Sequence, residues 1–217
     1  MDFAPEKQRE FEELKQRVAL LERELAEVQY EEEWKPAGFY TAYYATTGFL
    51  LGGVAALVAL VVNMIGASLV GRHPFELIRV YLTFPLGERA LQLAAQGGKE
   101  TGANDSLLLI FGCCLYAGTG MLLGMFFQLA LERWSKSGSL SSRLAIASGL
   151  AIAVWLIGFY GILNWLQPML FGGNWITDPA HLPIWVAVGT HLVFGWTMAL
   201  MEPLGEFTPF RRPLEQA

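Results

Sequence analysis

Few residues in this chain have the type and setting to do chemistry. Asn63, Asn164 and His191 stand inside apolar runs, and Cys113 and Cys114 are adjacent within another. On the four spanning helices derived below, the first three each lie about seven residues from the same end of their span. That is roughly 10 Å inside it, and the cysteines fall at the same level. Buried polar groups cost free energy unless paired, so these side chains should meet one another, backbone carbonyls or a ligand. An interhelical hydrogen-bond cluster is the plainer reading, and a pocket for a quinone, haem, lipid or other substrate is the sharper one. A metal held by His191 and both cysteines is disfavoured, because neighbours on a helix diverge by about 100°. No cofactor is predicted, with haem or quinone left open.

His73 and His181 belong to the same side of the membrane. Two-histidine haem ligation needs opposed side chains on facing helices, whereas His181 sits between Pro179 and Pro183 and His73 precedes Pro74. Interfacial hydrogen bonding is the default for both. No span has an Asp, Glu, Lys or Arg in its interior, which argues against coupled transport. Glu132 and Glu202 lie at span ends, where water is expected to reach them, and Gln128 is the deepest long amide on that side. Neither a nucleophile motif nor paired carboxylates are found, so an enzyme is not expected.

The elements that must position these residues follow from composition. The chain is 53% hydrophobic and 16% charged, with a mean hydropathy of +0.37, which fits a membrane protein. Up to Gly38 it carries eleven acidic against six basic residues, and beyond that nine of each, so the whole net charge of −5 sits in the first segment. A basic footprint for nucleic acid is absent. About 37 polar residues precede the first apolar run, unlike a secretory signal, so that run reads as an uncleaved anchor.

Residues 1–37 form an acidic arm. Phe11, Leu14, Val18, Leu21, Leu25 and Val28 repeat at 3-4 spacing, the period of a coiled-coil seam. Glu10 with Lys15 and Arg17 with Glu22 have the spacing that meets across a parallel dimer, while Glu24 with Gln29 is neutral. The arm should therefore associate with itself or with another subunit, the alternative being packing within its own protein. Pro36 and Gly38 end it.

Residues 38–205 should hold four transmembrane helices at about 48–70, 106–131, 144–171 and 184–201, each long enough for a hydrocarbon core of roughly 30 Å. Phe39, Tyr40, Tyr43 and Tyr44 form an aromatic belt before the first span. Trp134 closes the second, and Trp175 and Trp185 flank the last connection. Residues 74–95 are too polar to span and suit an amphipathic helix lying in the interface, broken at Pro85 and Gly87, or a soluble helix packed on the protein. Residues 206–217 are a short tail.

Arg133, Lys136, Arg143, Arg211, Arg212 and the arm carry the basic residues of one side, and the last connection carries none. Both termini are therefore placed in the cytoplasm, with Arg72, Arg79, Arg89 and Lys99 opposing and Glu76, Glu88 and Glu100 beside them. Gly48 with Gly52 and Gly120 with Gly124 have the spacing of close helix crossings, and Ala187, His191, Gly195 and Ala199 share one face of the fourth span. The expectation is an all-α integral membrane protein in contact with lipid. Its leading function is a non-catalytic subunit scaffolding a larger membrane complex, respiratory or photosynthetic in type. A quinone-, haem- or lipid-binding protein and a small oligomeric channel or transporter are the alternatives.

Overall fold

The computed structural model describes residues 5–33, 40–93, 103–135 and 139–207. The linker residues Pro36, Gly38 and Phe39, the basic residues Lys99 and Lys136, Glu100, and Arg211 and Arg212 of the tail lie outside these residues. Two units are present, Met1–Tyr40 and Thr41–Ala217, and each is described by itself.

In the first unit, α1 runs over Pro5–Glu33. Glu, Lys, Gln, Arg and Leu dominate it, no glycine interrupts it, and proline occupies the first helical position, where its missing N–H costs nothing. Phe11, Leu14, Val18, Leu21 and Leu25 all keep half or more of their surface exposed. Lys15 places its ammonium 5.4 Å from the centroid of the Phe11 ring, one turn away. The side chains of Val28 and Gln29, at the end of the seam, lie outside those described.

Among its described residues the second unit has helices as its only regular elements, and it contains four long and apolar enough to cross a membrane: Thr41–Leu69, Asn104–Trp134, Leu140–Phe171 and Ile184–Gly205. It is a multi-pass membrane architecture. The first span is α2 (Thr41–Leu69) and the second lies in α4 (Ala103–Trp134). The third is built from α5 (Leu140–Leu156), a π-helical stretch Ile157–Leu163, and α6 (Asn164–Phe171). The fourth is α7 (Ile184–Met201), which tightens into a 3₁₀ turn at Glu202–Gly205. Spans one and two pack along most of their length, span four packs on one and three, and spans two and three meet only sparsely.

Small residues set the tight crossings. A Cβ added at Gly52 would fall 2.3 Å from the carbonyl oxygen of Gly120, and one at Gly124 would fall 2.3 Å from that of Gly48. The backbones of α2 and α4 therefore touch, which is how helices gain contact where lipid removes the hydrophobic drive. On the other side, a Cβ at Gly195 would fall 2.9 Å from the carbonyl oxygen of Ala147. The Phe127 and Phe194 rings meet edge to face at 5.2 Å between these crossings.

Between the first two spans, α3 covers Glu76–Leu86 and a 3₁₀ turn covers Gly87–Gln92. It is packed into the bundle, whereas a helix lying in the interface would keep one face outside. Ile78, Val80, Leu82 and Thr83 are all buried. Ile78 and Leu82 pack with Leu60 and Leu109 on one side, and Val80 packs with Ile176, Leu182 and Ala187 on the other. Both faces are therefore engaged. Gln167 explains part of this: it donates to the Thr83 hydroxyl at 3.0 Å and accepts from the Ile176 N–H at 3.0 Å. The helix ends at Gly87, whose φ of 63° suits glycine, while Pro85 is accommodated inside it.

At the opposite end, the expectation that water reaches Glu132 and Glu202 is overturned. They are 5% and 6% exposed. Arg143 meets Glu202 at 2.9 Å, and the Gln128 amide donates to Glu132 at 3.1 Å. The 3₁₀ turn carries Gly205 back over Gln128, closing the end that a straight helix would have left open.

Candidate functional site

The polar residues singled out by depth are distributed among different partners. Asn63 donates to the Thr190 hydroxyl at 2.8 Å, joining spans one and four, and to the carbonyl of Ala59 at 2.8 Å. Asn164 accepts from the Asn174 amide of the following connection at 2.7 Å. His191 bonds the Ala187 carbonyl of its own helix at 2.8 Å and sets its ring edge to face with Phe159, at 5.8 Å. Cys113 packs with Leu60, Ile78 and Leu109, and Cys114 is exposed. Equal depth does not bring side chains together, because each helix's rotation decides which face it turns to its neighbours.

His73 accepts from the Phe75 N–H at 3.1 Å, and burial together with nearby Arg79 lowers its pKa. His181 borders a shallow polar hollow with Asn164, Asn174 and Asp178. No group of three or more His, Cys, Asp or Glu side chains is placed to hold a metal among the described residues.

A larger feature lies between spans two, three and four. It is a cavity of about 500 Å³ whose lining is overwhelmingly apolar. Its inner wall is Phe127, Thr190, His191 and Phe194, its roof is Val80, Tyr81 and Phe84 of α3, and its far side is Gly158, Phe159 and Ile162 of span three. Leu115 and Ile162, on spans two and three, are 36% and 44% exposed and mark a lateral mouth toward the lipid-facing surface.

The cavity follows from residue size along span three. Ala147 and Ala151 let α5 approach α7 closely at one end. Further along, Trp155 and Phe159 take those positions and hold the helices apart, since side-chain bulk sets interaxial distance. The π-helical turn begins at this point, and such turns recur at functional sites. Pro168 then removes a helical N–H, and the Trp165 indole donates to the Gly161 carbonyl at 2.7 Å.

Hydrogen bonds decide what the cavity offers. Thr119 donates to the Leu115 carbonyl at 3.0 Å, so in its short contact with Tyr81 the phenol is the donor. Thr190 donates to the Val186 carbonyl at 2.7 Å. A carbonyl only accepts, so His191 must use Nδ1–H toward Ala187, and in the neutral imidazole Nε2 is then the acceptor. Apart from the Tyr116 hydroxyl, which makes no hydrogen bond among the described residues, the polar groups of the wall have spent their protons.

Comparison with known protein families, curated proteins and solved structures finds no match to this chain. Of the three residues singled out for a pocket, His191 lines the cavity, Asn63 braces its wall through Thr190, and Asn164 faces the polar hollow instead. Tyr81, Tyr116 and Thr119 were missed. Tyr81 lies in a segment read as interfacial, and nothing in its spacing reveals that α3 reaches as far as Thr119.

Proposed function

We propose that this chain is a membrane-embedded binding protein that holds an apolar small molecule of the bilayer in the cavity between spans two, three and four. The observation that carries this reading is the cavity itself, about 500 Å³ and lined from α3 and all four spans. Its size and apolar walls with a few placed polar groups are those of a small-molecule site. The lateral mouth fits a ligand that partitions from lipid. The reading places both termini on the cytoplasmic side, on the strength of Arg133, Arg143 and the basic residues of the arm.

The test is purification in mild detergent followed by mass spectrometry of the extracted small molecules. Wild type should carry a stoichiometric apolar ligand. Gly158→Leu, at a position where a Cβ meets nothing within 4 Å, should fold and carry less of it. Extracts that match bulk membrane lipid in both proteins would overturn the reading.

A second reading, that the chain is a non-catalytic subunit of a larger membrane assembly, is favoured by the exposed seam of α1. Glu10 with Lys15 and Arg17 with Glu22 suit a parallel pairing with a second copy, and anchoring in one membrane would raise the local concentration of so short a coil. Cross-linking through the arm should fall sharply in Leu21→Asp; equal cross-linking in both proteins would exclude association through this seam.

A further inference from the structure

We infer that the cavity selects a ligand carrying a hydrogen-bond donor on an aromatic ring, a quinol on an apolar tail, and that His191 Nε2 is the acceptor that recognises it. This rests on the cavity being a binding site. It goes beyond that reading by naming the ligand's chemistry and oxidation state.

Two observations lead to it. The first is the proton count on the wall: the Thr119, Thr190 and Tyr81 hydroxyls and His191 Nδ1–H are all committed to other acceptors. A ligand that only accepts finds one free donor, the Tyr116 hydroxyl, whereas a ligand that donates finds the imidazole lone pair and the phenol oxygens of Tyr81 and Tyr116. In an apolar cavity water cannot compensate for a donor left unmatched, so the difference is amplified.

The second observation is the wall's shape chemistry. Tyr81, Phe84, Tyr116, Phe127, Phe159 and Phe194 bring aromatic rings from α3 and from spans two, three and four. Tyr81 and Tyr116 already meet edge to face at 5.5 Å, as do Phe159 and His191. Such walls take a further ring edge to face or offset, and the mouth beside Leu115 and Ile162 leaves room for a tail to run out toward lipid. His191 is held for this role, because its Nδ1 bond and its packing on Phe159 restrict how the ring can turn.

The experiment measures binding of a short-tailed benzoquinol to the full-length detergent-purified protein, by quenching of tryptophan fluorescence under anaerobic conditions. Its oxidised benzoquinone and its dimethyl ether share the skeleton but lack the donors. The quinol should bind at least tenfold more tightly than either, and His191→Leu should reduce that preference to less than threefold while still binding all three. His191→Gln, whose amide oxygen can accept, should restore part of it.

Equal affinity of wild type for the three probes would overturn the inference and leave the cavity reading standing. Failure of all three to bind would also overturn the inference, while the cavity reading stands or falls on the extracted ligand. The comparison of probes on wild type needs no variant, so it decides the matter even if His191→Leu does not fold.

Discussion

Gly52 of the first span and Gly120 of the second lie backbone against backbone, so close that a methyl on Gly52 would stand 2.3 Å from the Gly120 carbonyl oxygen. The obstacle is main chain and cannot rotate away. Gly52→Ala should therefore destabilise the bundle by about 2 kcal/mol, the middle of the range for overpacking. Gly149→Ala, whose Cβ would meet nothing within 4 Å, should change stability by less than about 0.5 kcal/mol. Thermal melts in one detergent check both, and equal shifts would show that the crossing is looser than described.

Asn63 and Thr190 tie spans one and four by a bond of 2.8 Å. Interhelical hydrogen bonds in membranes contribute roughly 0.5 to 1.5 kcal/mol. Asn63→Ala and Thr190→Ala should each fall in that range, and the double variant should cost less than their sum. A double-mutant cycle measures the coupling, and strict additivity would mean that the pair does not interact.

Gln167 is fully buried and is the polar link that holds α3 against span three and the following connection. Gln167→Leu leaves the Thr83 hydroxyl and the Ile176 N–H without this partner, at a cost of about 1 to 3 kcal/mol. Amide exchange should accelerate in α3 and around Ile176 more than at the α2–α4 crossing. Uniform acceleration would show that Gln167 has no local role.

His73 gives the pH dependence a definite sign. The Phe75 N–H donates to Nδ1, which must be unprotonated to accept, and burial with nearby Arg79 lowers the pKa from its ordinary value. The unfolded chain therefore takes up the proton first as the pH falls. The contribution is present above the unfolded value of about 6.5 and is lost as the pH falls toward the folded value. Melting temperature should drop between pH 7.5 and 5 in wild type and drop less in His73→Asn, whose amide oxygen can still accept from Phe75. An unchanged slope would assign the effect to other groups.

Four apolar helices were legible because a hydrocarbon core demands long uncharged runs, a requirement that needs no knowledge of neighbours. The helical arm was equally legible from the 3-4 spacing of its apolar residues. Glu132 and Glu202 were misjudged since their position along the chain says nothing about the turn at Glu202–Gly205 that covers them. The charges of the segment from Pro74 onward left an interfacial helix and one packed on the protein both open, and only Gln167, from another span, reveals what its polar Thr83 is for.

The candidate site divides in the same way. By itself the sequence determined which polar groups lie within the four apolar helices and how far along each, since rise per residue is a property of one helix. Tertiary structure decided that Asn63 turns to Thr190, that Asn164 turns to a loop, and that His191 borders a cavity with Tyr81 and Tyr116. Those facts depend on helix rotation and on the bulk of residues such as Ala151 and Trp155 in contact with other spans. No single helix contains that information.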